Sequence, residues 1–282
     1  MLKSDIHDPA LFFDLEWVPD AAGAIRCFDL PRETPELEAM ERIWRETSGY
    51  HAENCPRPFV KYLFSRVVSI AFLSRKVIYR EGQRHIEFGL HSLPKLPVQE
   101  ARSDEREIIE RFLYIVGERS PQLVGFNSVE SDLQVLIQRG MINDVRAPKF
   151  SDRPEKPWEG RDYFARTSEA HLDIIKLLSS NSMKPTLNAL SRLCGFPGKI
   201  DIDGMHVVDL WLDGKLKEIV EYNQIDALNT YLVWLRVVNF AGKISEEDYL
   251  IEQDDFREFV ETQAEQEEAG HLRRFLEKWD EV

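Results

Sequence analysis

The sequence predicts an α/β fold: a mixed β-sheet with helices packed on its faces. Three observations carry this. Leu11-Phe12-Phe13-Asp14-Leu15-Glu16 is an apolar run of strand length. The segments 66–73 and 84–90 are strand-like and flank Glu81-Gly82-Gln83, a hairpin turn composition that supplies an antiparallel part of the sheet. Residues 104–118 have helical periodicity and lead, past Pro121, into a short apolar run at 122–126. A helix crossing between two strands makes them parallel.

The first run carries two carboxylates. An ionised carboxylate buried without a partner is costly, so Asp14 and Glu16 must be neutralised by cations, protonated, or placed at the strand's end. Two apart on a strand, they point to one face, and two hard oxygen donors on one face form part of a divalent-metal site. Pro19 and Asp20-Ala21-Ala22-Gly23 predict a turn, and 25–30 a second strand. Residues 31–48 read as a helix, with Thr34 as N-cap and Pro35 in the first turn. The stretch 31–58 is then an insertion between sheet elements, either a lid or a surface helix.

In 104–118, Asp104 and Glu107 match a capping box, and Ile108, Phe112, Ile115 and Val116 repeat at helical spacing. Asn127-Ser128 stands where a helix over 129–140 needs its cap. Residues 145–169 are irregular and rich in Pro, Arg and Lys, with Phe150, Trp158, Tyr163 and Phe164 interleaved. That mixture suits either single-stranded nucleic acid, through phosphate pairing and base stacking, or an ordinary surface loop. His171-Leu172-Asp173-Ile174-Ile175 predicts a short strand or helix entry, and 185–193 a short helix ending at Gly195. Gly198-Lys199 lacks the spacing and the Ser/Thr of a P-loop and reads as a turn. Residues 215–240 form a long helix with Ile225, Leu228, Leu232 and Leu235 as its buried stripe. Tyr222 and Asp226, one turn apart, point together beside it. Near the C-terminus Leu272, Phe275, Leu276 and Trp279 make an apolar helical face that docks on the body, on a second subunit or on a protein partner.

The 282 residues suffice for one sizeable α/β domain or two small ones. No apolar run approaches the roughly 20 residues of a membrane helix, and residues 1–8 lack the apolar core of a signal peptide. A cytoplasmic protein without membrane contact is expected. Cys27, Cys55 and Cys194 are odd in number and far apart, which argues against a disulfide framework and a zinc site. The net charge of −14 by itself counts against a polyanionic partner. Its distribution removes the objection: 244–282 hold 14 acidic and 4 basic residues, leaving only −4 on 1–243.

Three spacings now stand in order: Asp14-x-Glu16 on a strand, Asn127-x4-Asp132 where a strand becomes a helix, and Tyr222-x3-Asp226 on a late helix. Each alone arises by chance. Together the chain resembles the DEDD superfamily of 3′→5′ exonucleases, tyrosine type, and within it stand-alone bacterial proteins related to the proofreading domain of family-B DNA polymerases. The resemblance covers roughly 12–236 and includes His171-Leu172-Asp173-Ile174, Leu187-Asn188-Ala189-Leu190, Gly195-Phe196-Pro197-Gly198-Lys199 and Asn229-Thr230-Tyr231-Leu232. It implies a ribonuclease H-like mixed sheet flanked by helices over 1–243, with a helical insertion at about 31–58 and an acidic helical extension at 244–282.

By the same resemblance, Asp14, Glu16, Asp132 and Asp226 would hold two divalent cations, Mg²⁺ or Mn²⁺, with Tyr222 beside the attacking water. Leu15, Trp17, Phe126 and Asn127 would contact substrate. A histidine-type relative would have His where Glu221 stands. The chain departs from the family at Ser128, usually Gly, at Ser131, usually Phe, and at Trp17, commonly a small polar residue. The metal ligands are untouched.

The chemistry is coherent on its own. Phosphodiester cleavage needs an in-line nucleophile, neutralised phosphate charge and a stabilised leaving oxygen, and two metals about 3.5–4 Å apart supply all three. Tyrosine, with a pKa of about 10, is a poor base at neutral pH, so Tyr222 would orient the water. Asn127 caps its helix or contacts substrate. His171 and Asp173 read as structural.

The expected activity is removal of nucleoside 5′-monophosphates from single-stranded 3′ ends, DNA rather than RNA. No polymerase region fits the remaining length, so any proofreading or DNA repair would act in trans. The low net basicity of 1–243 implies a shallow salt dependence of binding. The rivals are an exoribonuclease of the same chemistry and an inactive nuclease-like module binding nucleic acid or protein. Four intact carboxylates argue against the second, because clustered charge without metal costs stability.

Overall fold

The apolar run at 11–16 lies at the centre of a five-stranded mixed sheet. The computed structural model describes residues 2, 6–156, 159–165, 168–179, 183–200 and 206–281. In chain order the elements are β1 (Ala10–Pro19), α1 (Ala21–Cys27), α2 (Glu36–Arg45), a 3₁₀ turn (Tyr62–Phe64), β2 (Ser65–Arg80) and β3 (Gln83–Leu93). Then come α3 (Glu105–Arg119), β4 (Gln122–Gly125), α4 (Asp132–Ile142), α5 (Pro148–Ser151), β5 (His171–Asp173), α6 (Ile174–Leu178) and α7 (Leu187–Leu193). α8 (Val207–Leu212), α9 (Leu216–Phe240), α10 (Glu246–Ala264) and α11 (Gly270–Asp280) complete the chain.

The strand order is β3-β2-β1-β4-β5. β1–β2 and β2–β3 are antiparallel, while β1–β4 and β4–β5 are parallel. This is the expected α/β architecture, consistent with a ribonuclease H-like exonuclease fold. The β2–β3 hairpin turns at Glu81 (φ 51°) and Gly82 (φ 82°), the two left-handed residues a tight hairpin requires.

Alternation along β1 divides the core. Ala10 and Phe12 face α9, where the Phe12 ring meets Tyr231 and Trp234 edge-on at 5.1 and 4.9 Å. Leu11, Phe13 and Leu15 face the opposite way, onto α3 and α4. A third cluster caps the C-terminal end of β1. There Val18 joins Met40, Ile43 and Trp44 of α2, Trp211 of α8, and Ile219 and Val220 of α9. The C-terminal apolar face docks on the chain's own body: Leu272 and Phe275 of α11 are buried with Phe256 of α10 in the α9-side cluster. Glu252 of α10 reaches the sheet and pairs with Arg75 of β2. Asp255 of the same helix accepts the Ile86 N–H on the outer side of β3 at 2.8 Å.

Two expectations are corrected, and one open alternative is narrowed. Residues 21–27 form helix α1, where a turn and then a strand over 25–30 are predicted. The Asp20 carboxylate accepts the Gly23 N–H at 2.9 Å and acts as an N-cap, which winds the intended turn onward as a helix. The helix after β4 starts at Asp132, so Asn127-Ser128 is not its cap. Instead Asp173 accepts the N–H groups of Asn127 (2.9 Å) and Val129 (3.1 Å), and Asn127 takes φ 64°. Finally, Phe150 and Tyr163 are buried and stacked on each other at 5.5 Å. Their faces are spent on the core rather than offered to bases. Trp158 and residues 1 and 3–5 lie outside the described residues.

All three cysteines are free thiols. Among the described residues no helix is long and apolar enough to cross a membrane.

Candidate active site

The site forms where β1 and β4 part. β4 pairs with β1 only from Ala10 to Phe12, so the next stretch of β1 has no strand on that side. The Leu15 N–H donates to Oδ1 of Asp132 instead, at 3.2 Å. Asp132 is the first residue of α4, and its other oxygen accepts from the Ser131 hydroxyl at 2.5 Å. α9 crosses the other face and brings Tyr222 and Asp226, both buried, to the same end of β1. Ligand oxygens of Asp14, Glu16 and Asp226 all lie within 4.8 Å of one another. The fold thus converges three of the four sequence-predicted carboxylates and sets Asp132 beside them.

Burial and mutual repulsion raise the carboxylates of the cluster. Asp14 is pushed well above the usual carboxylate range, first by burial, then by the charges of Asp132, Asp226 and Glu16. Glu16 is pushed up by burial and then by Asp226, with Lys199 pulling the other way. Burial raises Asp132 to about 6, although the Ser131 and Leu15 hydrogen bonds oppose it. The folded state therefore holds protons here that the unfolded chain releases nearer pH 4. This contribution favours folding at low pH and is lost as pH rises through about 6, where Asp132 ionises. In EDTA, the stability difference between an Asp132→Asn variant and wild type should grow in the variant's favour from pH 5 to pH 8. Thermal melts across that range measure it, and a flat difference would refute the assignment.

Tyr222 and a lysine complete the site. Lys199 Nζ donates to the Tyr222 hydroxyl at 2.6 Å and sits 5.2 Å from the ring centroid. Burial raises the Tyr222 pKa, with the charges of Asp226, Glu16 and Asp14 adding to it. Lys199 is delivered by a braced loop. Asn229, three residues beyond Asp226 on α9, takes the Gly198 N–H (3.1 Å) and donates to the Gly198 carbonyl (2.9 Å). Asn188 accepts the Lys199 N–H at 2.9 Å. A Cβ at Gly198 would fall 2.6 Å from Asn188 Oδ1, and φ there is +69°, so the position requires glycine. Lys278 of α11 donates to the Lys199 carbonyl at 3.0 Å. Sequence reasoning misses Lys199 because a lysine in a turn carries no spacing signal. The resemblance includes Gly195–Lys199 and Asn229–Leu232 but gives Lys199 no role; Asn229 lies on the same side of α9 as Asp226.

Of the predicted substrate contacts, the Leu15 side chain is buried among the α3–α4 residues, and only its main chain borders the site. Trp17 is half-buried at an irregularity in the β1–β2 register. Phe126 packs half-buried against the α9-side cluster. Asn127 accepts a hydrogen bond from Lys184 Nζ at 3.1 Å. Ser128 Oγ lies 2.8 Å from His171 Nε2, and burial holds that imidazole neutral, with a pKa lowered to about 3. His171 and Asp173 thus brace the turn carrying Asn127.

Two similarities to known proteins bear on this geometry. A family model described as a predicted 3′-5′ exonuclease related to the exonuclease domain of PolB matches residues 57–279. That segment contains Asp132, Tyr222 and Asp226 but not Asp14 or Glu16. A DNA polymerase from Pyrococcus glycovorans is 26% identical over 143 residues, covering 48% of this chain and 18% of the polymerase. With most of its length matched, the chain belongs to the family of predicted 3′-5′ exonucleases related to the exonuclease domain of PolB.

Proposed function

We propose that this chain is a metal-dependent exonuclease that removes nucleoside 5′-monophosphates from the 3′ ends of single-stranded DNA. One observation carries the reading. Asp14 and Glu16, from outside the matched segment, meet Asp226 inside it with ligand oxygens within 4.8 Å. Such an all-oxygen set, offset only in part by Lys199, fits Mg²⁺ or Mn²⁺. Asp14, Glu16 and Asp226 would hold one ion, and Asp14 with Asp132 a second. When bound, the ions neutralise phosphate charge and lower the pKa of the attacking water.

The chain's own groups do the rest. Tyr222 accepts from Lys199, and its own O–H hydrogen-bonds Asp226, a partner it would exchange for the attacking water once a cation engages that carboxylate. With its pKa raised it stays protonated at neutral pH, so it orients a water rather than deprotonating it. The Lys199 ammonium sets a positive charge where a phosphate oxygen would approach the carboxylates. In this reading 1–243 is the catalytic body and 244–282 a helical extension docked on it.

Tyr222→Phe should lower the single-turnover rate about 10–100-fold, the worth of one oriented hydrogen bond to a reacting group. An unchanged rate would remove Tyr222 from the mechanism. The test of the whole reading is digestion of 5′-labelled DNA and RNA strands of equal sequence with Mg²⁺, Mn²⁺ or EDTA. A metal-dependent ladder shortening from the 3′ end of the DNA is expected. Selective shortening of the RNA would reassign the sugar, and no cleavage under either metal would overturn the reading.

A further inference from the structure

We propose that Trp17, Phe59 and Tyr62 form a stacking platform for the unpaired bases at the 3′ end, beside the carboxylates; this rests on the exonuclease reading above. Phe59 is 64% exposed, which alone would signify nothing, but it joins two further, partly exposed rings in a contiguous aromatic patch of the kind that marks a binding site. Its placement is built rather than accidental. Burial alternates along 58–61, with Pro58 and Val60 buried and Phe59 and Lys61 exposed. Val60 anchors the stretch in the cluster that caps the end of β1.

The ring does not stand alone. Trp17 meets it edge-on with centroids 6.2 Å apart, and Tyr62 does so at 5.8 Å. Among the described residues the exposed rings of Tyr79, Tyr114 and Phe240 have no such neighbours. The three rings also border the site. Trp17 directly follows Glu16, at the irregularity where the β1 register shifts. Tyr62 opens the 3₁₀ turn that packs on α4, whose first residue is Asp132. Trp17 and Tyr62 both rest on the α3–α4 core, which holds their positions.

An apolar, aromatic rim next to a carboxylate cluster selects its occupant. A strand end whose scissile phosphate is drawn to bound cations lays its bases alongside, and every base offers a π-face to stack on. Lys61, exposed beside Phe59, supplies a cation to the same strand's backbone. Base-paired ends would have to unpair to use the platform, so it favours single strands.

The test uses the full chain, Mn²⁺ and two DNA oligonucleotides: one ordinary, one lacking bases at its last two 3′ nucleotides. Because the Phe59 side chain is exposed, Phe59→Ala removes little core packing. We expect Phe59→Ala to raise KM for the ordinary strand about tenfold, in KM rather than kcat, with Phe59→Trp restoring it. On the abasic strand wild type and Phe59→Ala should have the same, already raised KM. Wild-type KM in Phe59→Ala on the ordinary strand, or equal KM for both strands in wild type, overturns the platform alone. A wild type that shortens neither strand overturns the exonuclease reading and the platform with it.

Discussion

Asp14→Asn should remove nearly all metal-dependent cleavage and, in the same protein, raise the melting temperature of the metal-free form. Both effects come from one charge. The amide keeps the shape of the side chain but cannot supply an anionic oxygen to a cation. Bound ions contribute several kcal/mol of charge stabilisation, so the rate should fall on the order of 10³-fold or more. Without metal, that same carboxylate is opposed by burial and by Asp132, Asp226 and Glu16. Solvent screens part of the repulsion at this half-buried position, so its removal should stabilise the fold by roughly 1 kcal/mol. For a chain of this size that corresponds to about 2–4 °C. Wild type should gain about 2.7 kcal/mol from metal at a hundredfold excess over Kd, and the variant far less. Single-turnover kinetics and melts with EDTA or Mn²⁺ on one preparation decide the matter. A variant that cleaves normally contradicts the ligand role, and one that melts below wild type in EDTA contradicts the electrostatic account.

The second large effect is purely structural. Glu252 lies on α10, and both it and Arg75 of β2 have fully buried side chains. Glu252 accepts from Arg75 Nε and Nη2 at 2.5 and 2.8 Å, from Arg84 Nη2 at 2.8 Å and from the Tyr231 hydroxyl at 3.2 Å. The Arg75 guanidinium also lies 5.3 Å from the Trp234 ring. Burial alone would raise the Glu252 pKa, but the hydrogen bonds and charges of Arg75 and Arg84 bring it below the usual value. The pair's contribution is therefore present above the ordinary glutamate pKa and lost as pH falls through the lowered one. Glu252→Ala leaves the Arg75 charge buried without its partner, which costs about 3–5 kcal/mol, a drop on the order of 10 °C. Joint replacement, Arg75→Met with Glu252→Leu, should recover most of that loss, because a packed apolar pair avoids the desolvation cost. Urea titrations of the three proteins test this. A double variant as unstable as Glu252→Ala would show that the ion pair itself, not the orphaned charge, matters.

The two carboxylate environments explain what could be read from the chain and what could not. β1, the hairpin, α3 and α9 follow from periodicity and turn residues, because local pattern and tertiary burial agree there. The convergence of Asp14, Glu16 and Asp226 follows from motif order, since a strand and a helix each place their pairs on one face. Lys199 falls in a segment of the resemblance, but its role is not legible there because it lies in a contact 23 positions away, delivered by Asn188 and Asn229. α1 is misread because Asp20 acts as a cap, a role that only the Gly23 N–H contact reveals. α10 hides its core stripe for a different reason. Tyr249, Glu252, Phe256, Val260 and Ala264 are its buried residues, and the charged Glu252 interrupts the apolar period. The aromatic residues of 145–169 leave two readings open in the sequence, because composition cannot distinguish a ring that anchors a loop from one that awaits a base.

The contact between Asp255 and the Ile86 N–H has a consequence for how the protein behaves among its own copies. β3 is the last strand of the sheet, eleven residues long, and an open strand of that length is a template for another chain's backbone. Here one outward donor is already answered by a carboxylate at 2.8 Å, and the helix that supplies it packs along the strand. That helix also opens with Glu246, Glu247 and Asp248, so a second copy approaching this flank meets negative charge before it meets an unpaired hydrogen-bond donor. The acidity of this helix thus lies along the β3 edge, two strands away from the place in the middle of the sheet where β1 and β4 part.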